Sequence, residues 1–211
     1  MKNRWVDRRR GFWALAVVVV LVAMGFGTKV VSGDALAATT PKVFNASDYG
    51  QKEFPNVQAL IIAKANDLPV VATAIQADAA KAAKSYGVVE GTSFPVYSVK
   101  LTGVAGTVDA SGILPVTVTG VPAGVAVRVQ TGPAISGTAL RDAPGTIHFP
   151  QFVNQIQYQD AGSALTDELK KQVLSSIKAI DLAGKTVTVI GAFQLVNPTS
   201  YLITPVQIEV K

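Results

Sequence analysis

The first feature of the hydrophobic pattern is an uncharged apolar run near the N-terminus. Residues 1–10 are cationic, and the eighteen residues that follow them, 11–28, carry no charged side chain. As a helix such a run would reach about 27 Å, close to the thickness of the hydrocarbon core of a bilayer. Four arginines precede the run and favour a cytoplasmic N-terminus. The pattern therefore predicts a basic stub and a transmembrane helix over residues 1–28, which places the main domain outside the cytoplasm.

A small-residue tripeptide leaves a second fate open for this segment. Residues 35–37 read Ala-Leu-Ala, a pattern that a signal peptidase can cut after Ala37. The tripeptide lies well beyond the apolar run, and charged residues stand between the two. The sequence therefore predicts either an uncleaved anchor or a cleaved signal, and it does not decide between them.

Helical spacing characterises the next part of the chain. Residues 29–54 read as a linker, because turn-forming Ser, Gly, Asp and Pro punctuate them. A helical part is predicted over residues 55–90, where Pro55 begins one helix and Pro69 begins a second one. Gly87 is the predicted end of the second helix.

From Phe94 the hydrophobic period changes to two. Alternation of apolar and polar positions is clear in the stretches 94–101, 113–119 and 125–130. β-Branched residues dominate these stretches and glycines separate them. The pattern predicts short antiparallel strands joined by tight turns, in a β-barrel part over residues 91–148.

Helical spacing returns over residues 149–183, and strand-like alternation closes the chain over residues 184–211. One predicted helical face contains Phe149, Phe152, Val153 and Ile156. Thr166 is placed to cap a further helix. An order of helices, strands, helices and strands predicts an α+β fold. The best match is a small OB-like antiparallel β-barrel of five or six strands with a helical subdomain, preceded by the transmembrane helix.

Charge and composition remove several classes of function. The net charge of +5 comes mostly from residues 1–27, which hold five Lys/Arg and one Asp, whereas residues 28–211 hold fourteen Lys/Arg against thirteen Asp/Glu. A nearly neutral body has no basic face for phosphates, so we expect no nucleic-acid partner. The chain has no cysteine, which excludes disulfides, thiolate metal sites and a lipid-modified cysteine. We expect no metal and no cofactor.

The segment 130–155 holds the most specific motif of the chain. Its residues are Gly132-Pro133, Gly137-Thr138, Leu140-Arg141-Asp142-Ala143, Phe149, Phe152 and Asn154-Gln155. Weaker motifs elsewhere are Tyr86-Gly87, Gly184-Lys185, Gly191-Ala192-Phe193 and Thr204-Pro205. In these residues the chain resembles the domain of unknown function 2291 family of predicted periplasmic lipoproteins, and the resemblance covers residues 42–210.

The resemblance implies an OB-type barrel with a small helical subdomain at the outer face of the cytoplasmic membrane. It also implies frequent association with carbohydrate ABC-transporter components, and it brings no established activity. Many relatives carry a lipobox cysteine that this chain lacks. The apolar helix is therefore expected to take the place of a lipid anchor.

The same segment supplies the candidate binding residues. Gly132, Pro133 and Gly137 are interpreted as backbone devices, since glycine permits positive φ and close backbone approach while proline fixes a turn. The binding candidates are Thr138, Arg141, Asp142, Asn154 and Gln155. A guanidinium fork, a carboxylate and side-chain amides can together recognise sugar hydroxyls.

A structural interpretation of these residues competes with the binding one. Adjacent strand residues point to opposite faces, so we expect Arg141 not to pair with Asp142. Arg141 would instead pair with a distant carboxylate such as Asp160 or Glu90, and Asn154 would satisfy loop backbone.

Three classes of function remain, in order of preference. The first is a membrane-anchored extracytoplasmic accessory or binding module beside a carbohydrate ABC transporter, with a small sugar or polyol as ligand. The second is a structural envelope protein that docks a partner, and the third is a carboxylate-based hydrolase. The only histidine is His148, and no serine lies in a G-x-S-x-G elbow. We therefore predict no catalytic residues and no enzymatic activity.

Overall fold

A closed five-stranded β-barrel forms the centre of the domain that begins at Phe44. The computed structural model describes residues 44–89 and 94–211. The barrel strands are β1 (Val96–Ala105), β2 (Ile113–Thr117), β3 (Ala126–Gln130), β4 (Thr186–Gln194) and β5 (Ser200–Val210). Their order is β1-β2-β3-β5-β4, and β4 pairs back onto β1 to close the barrel. The three predicted central strands and the two closing strands are all present.

The pairing between β3 and β5 departs from the expected antiparallel barrel. These two strands run parallel, with Ala126 opposite Ser200 and Val129 opposite Ile203. The other barrel pairs are antiparallel, and the longest of them joins β1 to β4 from Val96 opposite Gln194 onward. A parallel pair needs a crossover connection. The chain between β3 and β4 supplies it, and that connection also carries the candidate site.

The barrel interior is filled by a stack of three aromatic rings. The ring of Phe193 lies 5.3 Å from that of Tyr97 and 4.6 Å from that of Tyr201, with nearly parallel planes. All three side chains are fully buried. The hydroxyls of Tyr97 and Tyr201 have no hydrogen-bond partner among the described residues. Burial is the main cause that raises the pKa of Tyr97 to about 12, and the nearby Tyr201 adds to it. These aromatic residues belong to the core.

Five α-helices pack around the barrel in the described residues. They are α1 (Ala46–Lys64), α2 (Leu68–Ala77), α3 (Ala79–Tyr86), α4 (Ala139–Asp142) and α5 (Gln155–Gln172). Two-residue strands, Asn66–Asp67 and Gly87–Val88, add to the β1 edge. No helix among these residues is long and apolar enough to cross a bilayer. The predicted transmembrane helix over 1–28 lies outside the described residues.

The first helix begins earlier than the sequence pattern indicates. The Asn45 side chain caps α1 by accepting a hydrogen bond from the Asp48 amide at 3.1 Å. Pro55 lies inside α1 and does not begin it. The predicted boundary between linker and helical part, at residue 54, therefore falls in the middle of α1.

The second predicted helix is two helices. Pro69 occupies the start of α2 as expected, but Asp78 interrupts the helix with extended backbone and caps α3 by accepting from the Lys81 amide at 3.0 Å. Gly87 follows α3 directly, as predicted. Both helices contribute buried residues to the cluster that fills the barrel interior, namely Leu68, Val71, Ala72, Ile75 and Ala82.

A second hydrophobic cluster lies between the outer face of the barrel and the helices α1, α4 and α5. Leu165 and Leu169 of α5 meet Phe54 and Ile61 of α1 there. Thr166 lies inside α5 and donates to the Gly162 carbonyl at 3.1 Å, so its predicted role as the cap of a separate helix is wrong. One long helix therefore covers the barrel where two were expected.

Candidate functional site

The candidate site begins at the end of β3, where one buried glutamine holds the next loop. Gln130 is only 1% exposed. Its Nε2 donates to the Ser136 carbonyl at 3.0 Å and to Oγ1 of Thr204 at 2.8 Å, and its Oε1 accepts from the Ser136 amide at 2.8 Å. Because buried amides need all their partners, this network fixes the loop against β3 and β5. Sequence reasoning assigned Gln130 no role.

A close approach of two backbone segments fixes the start of the same loop. Gly132 lies against Gly112, and a Cβ on either residue would overlap the backbone of the other. Thr131 ties the two segments together, because both its amide and its hydroxyl donate to the Gly112 carbonyl, at 2.8 and 2.9 Å. Only glycine fits at this crossing.

The loop ends in a short helix instead of the expected strand. Gly137 adopts a φ of 91°, a conformation that favours glycine. Thr138 precedes α4, which contains both Arg141 and Asp142. The amides of these two residues each donate to the Thr138 carbonyl at 3.0 Å. Helical backbone brings side chains together that a strand would separate.

Arg141 and Asp142 form an ion pair, so the expectation that they do not pair is wrong. Nε of Arg141 donates to Oδ1 of Asp142 at 2.7 Å, and the two side chains are 11% and 16% exposed. The hydroxyl of Thr138 donates to the second carboxylate oxygen at 2.6 Å. The guanidinium also lies over the ring of Tyr158, with Cζ 3.8 Å from the centroid. Asp142 therefore takes the place of the distant carboxylate that was expected to pair with Arg141. Of the two candidates for that role, Glu90 lies outside the described residues.

A polar cleft opens beside this pair, between the segment 137–141 and one face of α5. Its volume is about 480 Å³. The lining residues are Ile135, Gly137, Thr138, Arg141, Gln159, Gly162, Ser163, Thr166, Asp167 and Lys170. Asp167 and Lys170 form a surface ion pair at 3.7 Å. This volume falls in the range of small-molecule sites.

The predicted binding residues divide into two groups. Thr138 and Arg141 line the cleft with Gly137, and Asp142 holds both of their side chains in place. The other two predicted residues are elsewhere. Asn154 caps α5 by accepting from the Gln157 amide at 2.9 Å, and Gln155 is exposed at the first position of that helix.

Sequence reasoning missed the helical wall of the cleft. Gln159, Ser163, Thr166 and Lys170 recur at spacings of three and four, which places them on one face of α5. The spacing of these four polar residues in the sequence could have indicated the second wall of the cleft. It was obscured because the sequence pattern divided α5 into two helices.

Two further clefts adjoin this one. A cleft of about 340 Å³ between the loop 136–139 and the end of β4 shares Gly137 and Thr138 with it. A third, of about 290 Å³, contains the carboxylates of Asp160, Asp167 and Glu168. A hydrogen bond from Lys171, and to a smaller extent one from Gln172, lowers the pKa of Glu168.

Within residues 44–89 and 94–211, no group of three acidic, histidine or cysteine side chains could hold a metal ion.

Comparison with known proteins gives the family. The sequence profile of the predicted periplasmic lipoprotein family, domain of unknown function 2291, matches residues 16–209. The chain belongs to this family. The resemblance stated from the segment 130–155 is thus confirmed. The family description indicates an extracytoplasmic, membrane-associated location and gives no molecular function.

A solved structure supports the fold. The chain is similar to an OB-fold protein of Thermotoga maritima seen in a crystal structure, with a TM-score of 0.65 and 19% identity over 81% of this chain and all of that one. At this identity the similarity shows the fold alone. No curated protein matches the chain. The predicted OB-like barrel with a helical subdomain is confirmed for the described residues.

Proposed function

We propose that this family member is a non-catalytic extracytoplasmic binding module that takes a small sugar or polyol in the cleft beside Arg141. The observation that carries the proposal is the cleft itself: about 480 Å³, with hydroxyl, amide and charged side chains from α5 facing the segment 137–141. Sites for small molecules combine such a volume with a few well-placed polar groups.

The chemistry of the lining favours an uncharged polyhydroxy ligand. Ser163 and Thr166 offer hydroxyls and Gln159 offers an amide. Asp142 accepts from Nε and Nη2 of Arg141 and holds the guanidinium in place, so Arg141 offers the N–H groups that this pairing leaves over. Lys170 and Asp167 neutralise each other at the rim. A cleft with balanced charge and many mixed donors and acceptors suits hydroxyl groups better than a strongly anionic ligand.

We propose further that residues 11–28 hold the module at the membrane, with the N-terminus in the cytoplasm and the barrel outside. The family description, the four preceding arginines and the absence of a lipobox cysteine support this arrangement. A carbohydrate ABC-transporter component is the partner we propose, because a module at that surface could hand a captured solute to a permease.

A hydrolase that uses carboxylates is the less favoured function. Such an enzyme needs an acid with a raised pKa facing a second carboxylate. Glu168 has a lowered pKa because Lys171 donates to it, and Asp142 is occupied by Arg141 and Thr138. Both observations favour binding over acid–base chemistry.

The proposal predicts that Ser163→Trp removes ligand binding and leaves the fold intact. Ser163 is exposed and lines the cleft, so a large ring there would fill the ligand volume without entering the core. The test is a thermal-unfolding screen of the full chain in detergent against a panel of monosaccharides, disaccharides and polyols. A ligand that binds the folded state raises the midpoint, and Ser163→Trp should abolish that rise.

Ser176→Trp is the matched control. Ser176 is an exposed serine on the 3₁₀ turn Leu174–Ser176 and does not line the cleft. This variant should keep the full ligand-induced rise in the midpoint. A panel in which no sugar or polyol shifts the wild-type midpoint would contradict the proposed ligand class, and an undiminished shift in Ser163→Trp would contradict the proposed site.

A further inference from the structure

Around the start of α5, the chain exposes a group of large apolar side chains that the cleft does not use. We call it the 149–156 surface: Val153 is 76% exposed, Ile156 66% and Phe149 44%, and Phe152 lies half-buried among them. The helical pattern suggested that these residues share a buried face. The structure buries only part of that face.

The 149–156 surface lies in a long uncharged part of the sequence. From residue 143 to residue 159 the chain contains no Asp, Glu, Lys or Arg. Singly scattered apolar residues are common on protein surfaces, but apolar groups clustered without charges mark contact sites. This clustering is typical of a contact site.

The position of the surface identifies the occupant of that site. Phe44, the first described residue, packs against Phe152 with ring centroids 5.8 Å apart, and Tyr49 packs against the same ring at 5.7 Å. The apolar run 11–28 precedes Phe44 by only the fifteen residues 29–43. The surface is thus adjacent to the point where the chain enters the domain from its proposed anchor.

We infer that the 149–156 surface rests on the lipid bilayer and orients the domain at the membrane. This inference rests on the proposed anchoring by residues 11–28. Phe, Val and Ile side chains lose unfavourable contact with water when they enter the region between headgroups and acyl chains. No charged side chain within residues 143–159 opposes this transfer.

The absence of charge also defines the kind of membrane contact. Surfaces that bind anionic headgroups carry clustered Lys and Arg, and this one carries none. Contact with neutral lipid is therefore expected to be as close as contact with anionic lipid.

The absence of cysteine makes a direct test possible. Val153→Cys places a single thiol on the surface, and Ile180→Cys places one at an equally exposed apolar residue, also 76% exposed, on the 3₁₀ turn Ala179–Leu182 that follows α5. Each full-length variant is labelled with an environment-sensitive fluorophore and reconstituted into phosphatidylcholine vesicles doped with a nitroxide-labelled lipid. A parallel series contains phosphatidylglycerol.

The expected result is a blue-shifted emission and loss of fluorescence through nitroxide quenching for the probe at 153, in both lipids, with neither effect at 180. If the chain floats with the vesicles and the probes at 153 and 180 show the same emission shift and the same quenching, the inference is overturned and the proposed anchor stands. A chain that does not float with vesicles overturns the anchor and the inference together. A blue shift at 153 that grows with protein concentration without quenching assigns the surface to a second copy of the chain and overturns the inference.

Discussion

Gly112→Ala is expected to prevent stable folding of the barrel domain. A Cβ at this position would lie 2.6 Å from the Gly132 nitrogen and closer still to the Gly132 Cα. Both neighbours are backbone, so neither can move aside without displacing the whole loop. Gly112 also has a φ of 79°, which adds strain for any residue with a side chain. We expect a loss of more than about 4 kcal/mol, a large share of the stability of an ordinary domain.

Gly184→Ala separates the steric overlap from the backbone strain. Gly184 has the same φ of 79°, and a Cβ there would meet nothing within 4 Å. The Gly184→Ala variant should therefore lose only the free energy that corresponds to the strain of a left-handed residue, about 1 kcal/mol. The measurement is the free energy of unfolding by chemical denaturation. Similar losses for the two variants would show that the crossing of residues 112 and 132 is looser than described.

Asp142→Ala is expected to give the second-largest effect, a loss of about 3 kcal/mol. The substitution leaves the guanidinium of Arg141 without its carboxylate at a position only 11% exposed. It also removes the acceptor of the Thr138 hydroxyl. Removing one partner of a largely buried pair is costly, because the remaining charge is stranded away from water.

Two further variants test this explanation. Asp167→Ala removes the ion-pair partner of Lys170. Because the Asp167 side chain is 62% exposed, this variant should lose no more than about 0.5 kcal/mol of unfolding free energy. Combining Asp142→Ala with Arg141→Met removes the stranded charge and keeps an apolar stem over the Tyr158 ring. This double variant should regain part of the lost stability. If it is less stable than Asp142→Ala alone, the charge is not the cause.

The sequence pattern predicted the strands because their alternation depends only on which side chains face the barrel interior. The stretch 113–119 corresponds to β2, and the closing part predicted over residues 184–211 contains β4 and β5. Glycine also marked the end of α3 correctly, at Gly87. These features are set by local periodicity and local backbone preference, which a single sequence contains.

Helix boundaries and the site itself depended on interactions that the pattern does not contain. Asn45 caps α1 well before Pro55, and the packing of α1 against α5 overrides the usual preference of proline for a helix start. The pairing of Arg141 with Asp142 requires helical backbone at residues 139–142. That backbone in turn depends on how Gln130 and Gly132 direct the loop after β3. Both residues act through distant partners.

The cleft was the least predictable feature because its two walls come from separate segments. Thr138 and Arg141 were identified from the first wall. The second wall is a polar stripe on α5, and its meaning appears only when α5 is one continuous helix facing α4. Asn154 and Gln155 were included because they follow closely in sequence, but they serve the start of α5.

Chemical-shift mapping of the ligand tests the central claim most directly. The full chain, labelled with ¹⁵N in detergent micelles, is titrated with the sugar or polyol that most raises its unfolding midpoint. The account predicts that the amide shifts cluster at Gly137, Thr138 and Arg141 and on the α5 face from Gln159 to Lys170. Shifts confined to other surfaces, such as the cleft of Arg128 and Asn197, would contradict it.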